Sequence, residues 1–192
     1  MNELKKAIKF VFVLMVLLGL VYPFVMTAIA NLLFPYQANG SIIMLDGKPV
    51  GSELIGQKFT DSRWFMGRPS VVDYNAESSG GTNYALSNPK FKEEVEKNIE
   101  EFLKKNPGVK RSDIPADIVT SSGSGLDPHI SPEAAYLQVK RVAAANHLPE
   151  EVVKKLVDKN VEGRFLGIFG EPRINVLKLN LSLLEEIKRT KK

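Results

Sequence analysis

The stretch FVFVLMVLLGLVYPFVMTAIANLLF, from Phe10 to Phe34, decides how the rest of the chain is read. These 25 residues carry no charge. At a rise of about 1.5 Å per residue, a helix of this length crosses a hydrocarbon layer of roughly 30 Å. Lys5, Lys6 and Lys9 stand just before it, and the next charge after it is Asp46. Lysines on one short flank mark the cytoplasmic side of a span. The expected organisation is a cytoplasmic N-terminus over residues 1–9, a transmembrane helix over residues 10–34, and an extracytoplasmic domain over residues 35–192.

A secretory signal peptide is the competing reading, with the three lysines as its basic region and Ala28-Ile29-Ala30 as a cleavage site. The apolar run is longer than the roughly 7–15 residues of such a segment, and it continues through Leu32, Leu33 and Phe34. A lipoprotein anchor needs a cysteine, and the sequence has none. Within the span, Gly19, Ala28 and Ala30 are small, Thr27 and Asn31 are weakly polar, and Pro23 interrupts the hydrogen-bond ladder. Such residues suit packing against another membrane helix, and an ordinary anchor carries them too. Tyr36 falls where interfacial aromatics sit. The span holds no Asp, Glu, Lys, Arg or His, which ion and proton paths normally show, so it reads as a tether or partner helix.

Beyond the anchor about 150 residues remain, enough for one domain. The formal charge is +4, of which the three lysines against Glu3 supply +2. The remainder is too weakly basic for a nucleic-acid footprint. The absence of cysteine removes disulfides, thiol chemistry and zinc–thiolate sites. Two distant histidines, His129 and His147, do not suggest a transition-metal site, and His147 reads as a solvated helix end.

In chain order, residues 41–45 and 48–50 flank Asp46-Gly47, a β-hairpin signature because that pair accepts positive φ. Residues 51–87 are rich in Gly, Ser, Asn and Pro but hold Phe59, Trp64, Phe65, Tyr74 and Tyr84, which argue for an ordered loop. Asn88-Pro89 and Ser131-Pro132 pair a capping side chain with a proline at the first helical position. Phe91, Val95, Ile99 and Phe102 share a face of the first of these helices, which Asn106-Pro107-Gly108 ends. Pro149 opens a third helix, striped by Val152, Val153, Leu156 and Val157. Strands are expected at residues 114–120, 164–168 and 174–179. A final helix is expected from Ser182, its end carrying Lys188, Arg189, Lys191 and Lys192. The fold class is α/β, a mixed α+β soluble domain behind one N-terminal transmembrane helix.

Several stretches hold residue types that perform chemistry. Residues 120–131 lead small flexible residues into a helix N-terminus, where backbone N–H groups can cradle an anion, but no P-loop lysine follows. Ser124, Asp127 and His129 supply the types of a hydrolase triad. Yet one proline separates Asp from His, and no nucleophile elbow precedes a helix. Turn-rigidifying bonds fit Asp127 and His129 better. Gly80, Gly81 and Asn83 lie in a second glycine loop. Arg68, Tyr74 and Asn75 combine types enriched at interfaces. Glu162-Gly163-Arg164 and Glu171-Pro172-Arg173 place opposite charges around tight turns. The candidate contacts with a partner or ligand are therefore Arg68, Tyr74, Asn75, Gly80, Gly81, Asn83, Ser124, Asp127, His129, Arg164, Glu171 and Arg173; no catalytic residue and no metal ligand is assigned. An anchored hydrolase using Ser124 and His129, or a solute-binding module using Arg68, Asn75 and Asn83, are the alternatives.

Taken together, Gly51-Ser52-Glu53-Leu54-Ile55-Gly56-Gln57, Arg68-Pro69-Ser70, Tyr74-Asn75, Ser79-Gly80-Gly81-Thr82-Asn83, Ser87-Asn88-Pro89, residues 120–132, Glu162-Gly163-Arg164 and Gly170-Glu171-Pro172-Arg173-Ile174-Asn175-Val176-Leu177 form an ordered set. The set resembles the C-subunit family of Kdp-type potassium-transporting P-type ATPases over nearly the whole chain. The resemblance implies a subunit of a high-affinity potassium uptake pump in a prokaryotic plasma membrane. Its implied partners are a channel-like potassium-conducting subunit, a P-type ATPase subunit and a very small membrane subunit, with no nucleic acid. It further implies a catalytic chaperone that raises the pump subunit's affinity for ATP; no cofactor is expected in this chain alone, ATP being reached through the complex. The chain lacks the Asp-Lys-Thr-Gly phosphorylation motif of P-type ATPases. An external domain and a cytosolic nucleotide do not meet, so any effect on ATP affinity is expected to be allosteric.

Overall fold

The computed structural model describes residues 2–190, and these form two compact units that divide between Ser52 and Glu53. In the first, α1 (Asn2–Val16) passes through a π turn (Leu17–Val21) into α2 (Tyr22–Leu33). The whole is apolar and long enough to cross a membrane, and its side chains are exposed almost throughout. Pro23 explains the π turn. It cannot donate to the carbonyl four residues back, and its ring crowds that carbonyl, so the preceding turn widens. Tyr22 N–H accordingly donates to Leu17 O. Asn31 satisfies its amide inside the helix, on Thr27 O at 2.9 Å.

Phe34 leaves the helical region and Pro35 restarts it as α3 (Pro35–Ala38). The expected hairpin follows: β1 (Ile42–Leu45) pairs antiparallel with β2 (Lys48–Ser52), with a bulge between Ile43 and Met44. Asp46 and Gly47 both adopt positive φ, as the turn demands.

The second unit packs helices over a small sheet. Its elements are α4 (Pro89–Lys105), β3 (His129–Ile130), α5 (Pro132–Asn146), α6 (Glu150–Lys159), β4 (Val161–Glu162), β5 (Arg173–Asn175) and α7 (Val176–Thr190). The sheet runs β3-β5-β4, antiparallel throughout. Val142 of α5, Val153 and Val157 of α6, Leu179 and Leu183 of α7, and Ile174 of β5 are fully buried and form one core. Asn88 and Ser131 cap α4 and α5, accepting from Lys90 N and Ala134 N. His147 closes α5 in the left-handed region, a position more usually glycine, and its side chain is exposed.

Three expectations fail here. Residues 114–120 are not a strand but 3₁₀ turns: Pro115 offers no N–H to a ladder, and Thr120 N–H and Oγ1 both return to Ala116 O. Residues 164–168 form a hairpin tip, because Leu166 and Gly167 both take positive φ. Residues 174–179 begin as a strand but become helix at Val176, six residues before Ser182. The side chain of Asn175 accepts from Lys178 N at 3.1 Å and so caps α7. Val176, Leu179, Asn180 and Leu183 then keep a buried helical face. Lys191 and Lys192 lie outside the described residues.

The long segment before α4 is ordered without regular structure, apart from one 3₁₀ turn at Ala76–Ser78. Buried backbone groups must find partners, and here side-chain amides supply them. Phe65, fully buried, donates its N–H to Asn180 Oδ1 (2.8 Å) and accepts from Asn180 Nδ2 (2.9 Å). Met66 makes the same two-way exchange with Gln138, at 2.8 and 3.1 Å. Arg141 donates to the carbonyls of Ser62 and Trp64 and to Asn106 Oδ1 and Gln138 Oε1, all neutral oxygens. Burial among them lowers its guanidinium to about 10.

Candidate functional site

The segment held by these amides delivers Arg68, the turn before β3 delivers Asp127, and β3 itself opens with His129. Arg68 Nη1 donates to Asp127 Oδ2 at 2.8 Å, its Nε to Asp117 O at 3.1 Å, and its Nη2 to Thr120 O at 3.4 Å. One guanidinium thus fixes a carboxylate and two carbonyls of the facing loop. The other oxygen of Asp127 accepts His129 N–H at 2.9 Å, while His129 Nδ1 stands 3.6 Å from it, beyond good hydrogen-bond length. Burial acts to raise the Asp127 carboxyl, but His129 and the Arg68 guanidinium outweigh it and hold it at about 2. It remains ionised at neutral pH. Such a group neither donates a proton nor readily takes one.

Tyr74 braces the same point. Its hydroxyl donates to Arg68 O, and its N–H donates to Ser70 Oγ, which in turn donates to Gly125 O at 2.7 Å. Burial, then the nearby Asp127 carboxylate, pushes the Tyr74 hydroxyl up to about 12 against the opposing pull of Arg68.

The two glycine loops lie against each other. Gly80 N–H donates to Ser124 O at 2.9 Å and Ser79 Oγ to the same oxygen at 3.1 Å. A Cβ at Gly81 would sit 2.9 Å from Gly123 O, and one at Gly125, where φ is +68°, 2.5 Å from Val72 Cγ2. Close backbone approach calls for glycine at Gly81, and positive φ beside the Val72 side chain calls for it at Gly125. Ser124 Oγ accepts Leu126 N–H at 3.1 Å, and among the described residues no hydrogen bond joins Ser124 to His129. The triad types are near in sequence but are not assembled as nucleophile and base.

Arg68, Asp127, His129, Glu171 and Arg173 line one open cleft of about 610 Å³, together with Asp117 and Ser131. Arg164 joins it indirectly, gripping Glu171 at 2.7 and 3.0 Å. Arg173 Nε holds Glu162 at 3.1 Å, and Lys178 bridges Glu162 (3.6 Å) to Glu53 (2.8 Å). Burial opposes ionisation of Glu162, yet Arg173 and Lys178 hold its carboxyl below the usual range. Asn75 and Asn83 do not join the cleft. Asn75 accepts Glu77 N–H in its own turn, and Asn83 donates to Gly81 O; both are exposed.

Sequence reasoning missed Asp117, whose carboxylate accepts from both Ser131 N–H (2.7 Å) and Ser131 Oγ (3.0 Å) at the start of α5. It also missed Gln138, Arg141, Asn175 and Asn180. For Gln138 a signal existed: it occupies the apolar stripe of Ala134, Ala135, Val139 and Val142, where a polar side chain needs a partner.

An apolar helix fit to span a bilayer, followed by a domain laced together by its polar loops, is compatible with a membrane-anchored subunit. Residues 4–185 match the family model described as KdpC: K+-transporting ATPase, c chain. The chain is similar to the potassium-transporting ATPase KdpC subunit of Caldanaerobacter subterraneus subsp. tengcongensis, 86% identical over 191 residues, covering 100% of this chain and 99% of that one. Subunits so named from Bacillus cereus strain Q1 and from Bacillus anthracis are each 50% identical over 186 residues, 96% of this chain and 96% of theirs. The chain belongs to the KdpC family and is the c-chain subunit of a potassium-transporting ATPase.

Proposed function

We propose that this chain is the non-catalytic accessory subunit of that pump, a catalytic chaperone that stabilises the complex and raises the ATP affinity of the P-type ATPase subunit. The observation that carries this reading is how the Arg68–Asp127 pair is spent. Its strong donors and acceptors are bound to the protein's own loops, which suits a rigid contact surface and not a reaction centre. In this reading residues 10–34 cross the plasma membrane of a prokaryote with the lysine flank inside. Residues 35–192 then lie outside, against the channel-like potassium-conducting subunit near its entrance. The very small membrane subunit completes the assembly. ATP stays on the far side of the bilayer, so its affinity changes through a conformational equilibrium shared by the assembly.

Reconstituting the pump with and without this chain tests the proposal. Potassium-dependent ATP turnover should require higher ATP concentrations in its absence, and unchanged ATP affinity and rate in a fully assembled remainder would refute it. Labelling of a cysteine introduced at Ser112, an exposed site, from each side of the membrane fixes the orientation; labelling from the cytoplasmic side would overturn the topology.

A further inference from the structure

The turn that ends α4 and the face of α5 beside it form the walls of a half-open cavity. Its volume is about 650 Å³, within the roughly 300–1,000 Å³ of small-molecule sites. The floor is apolar. Pro107 and Val109 come from the turn and Leu137 and Ala144 from α5, with Val109 and Leu137 backed by the core. The charge is one-sided: Lys105, Lys140 and Arg141 line the cavity against a single acid, Asp113. Among the described residues no carboxylate pairs with any of these three cations. Lys105 Nζ has only Met66 Sδ, at 3.6 Å. The Lys140 ammonium makes no hydrogen bond or ion pair and reaches over the turn, 3.9 Å from where a Cβ on Gly108 would stand. Arg141, half-buried, spends four of its five N–H groups on Ser62 O, Trp64 O, Asn106 Oδ1 and Gln138 Oε1. All four are neutral oxygens, and one N–H of Nη2 is left over. Burial weakens the cation with no facing carboxylate to offset it.

From this we infer that the cavity binds a small organic anion, a carboxylate carried on an apolar body. The carboxylate sits among Lys105, Lys140 and the remaining N–H of Arg141, and the body lies on Pro107, Val109 and Leu137. Charge complementarity selects the anion: a cleft lined by an excess of one sign focuses its field on an ion of the other. An Arg N–H beside an unpaired ammonium is suited to a carboxylate oxygen. The apolar floor selects the body, since a bare inorganic anion would leave it uncovered. Concavity selects a small molecule, because a stable protein partner spreads over roughly 800 Å² of each surface and does not concentrate in one hollow. The cations are cheap to keep this way, for the two ammoniums are exposed and Arg141 is already oriented by its four bonds, so little is ordered on binding. The inference goes beyond the accessory-subunit reading and does not rest on it.

The test titrates naphthoate calorimetrically into the full-length chain in non-ionic detergent, with protein-free micelles as the blank. Wild type should show one saturable site. The double variant Lys105→Gln, Lys140→Gln should bind at least tenfold more weakly. Ala144→Phe, which fills the cavity and leaves every charge in place, should abolish binding. Both variants should melt with wild type, since all three positions are exposed. Naphthylmethanol, the body without the charge, and inorganic phosphate, the charge without the body, should each bind at least tenfold more weakly than naphthoate. A wild type with no saturable site, or variants that bind as wild type does, would overturn the inference. Phosphate binding as tight as that of naphthoate would overturn it too, as would loss of binding matched by a fall in melting temperature. If Ala144→Phe instead releases pump subunits that co-purify with wild type, a protein segment occupies the cavity. The inference then fails while the accessory-subunit reading stands.

Discussion

The clasp around Arg68 and the hairpin at residues 165–169, whose neck residues Glu171 and Arg173 share a cleft with Arg68, treat their side chains in opposite ways. In the clasp, charged and hydroxyl groups turn inward and are consumed by backbone atoms of neighbouring loops. In the hairpin, large apolar groups turn outward, backbone hydrogen bonds close the tip and exposed ion pairs tie the neck. Polar groups half-buried in a bonded network are expensive to disturb, because each loss strands a partner. Exposed apolar groups and surface ion pairs are cheap to change within the isolated domain. The same cleft therefore has one side that maintains the fold and another that the fold could dispense with.

The comparison breaks most visibly at Gly56, whose N–H donates to Leu126 O at 2.7 Å. A Cβ there would lie 2.5 Å from the backbone oxygen of Asp127, which cannot move without moving the clasp. Gly56→Ala should destabilise the domain by about 3 kcal/mol, read as a lowered urea midpoint at unchanged slope. An unshifted midpoint would show the clasp to be loose.

Acid should loosen the clasp selectively. The carboxyl of Asp127 is held at about 2, below its ordinary value of 3.8, so its contribution to stability is full above that ordinary value and is lost as pH falls through about 2. The size of the loss is about 2 kcal/mol. Thermal melts of wild type against Asp127→Asn should differ by that amount at neutral pH and converge near pH 2. Parallel curves would place the stabilisation elsewhere.

The smallest effect sharpens the contrast from the other side. Arg164→Gln removes an exposed pair at the hairpin neck and should cost the isolated domain less than about 0.5 kcal/mol, shrinking further in high salt. A loss approaching that at Gly56 would erase the distinction between the two sides.

How far the sequence foretold this follows the range of each signal. The apolar helix, the Asp46-Gly47 hairpin and the capped starts of α4 and α5 all rest on neighbours within a few residues, and all are present. Of the sheet only the start of β5 was foreseen, since β3 and β4 are two residues long, too short to establish alternation. Residues 174–179 satisfy both periods, and the cap at Asn175 decided for helix. At the site, Arg68, Asp127 and His129 were legible as residue types. That Arg68 reaches Asp127 across 59 positions was not, since the segment carrying it is placed by Gln138 and Asn180 from distant helices.

The widened turn next to Pro23 has a consequence for whatever neighbours the first helix. One surplus residue in a helical turn rotates everything after it by about 100° relative to a regular rod. Gly19 lies within that turn, while Ala28 and Ala30 lie beyond it. Ala28 and Ala30, two residues apart, already lie on opposite faces of α2, and the widened turn takes Gly19 out of regular register with both, so the two ends of the rod face different compass bearings.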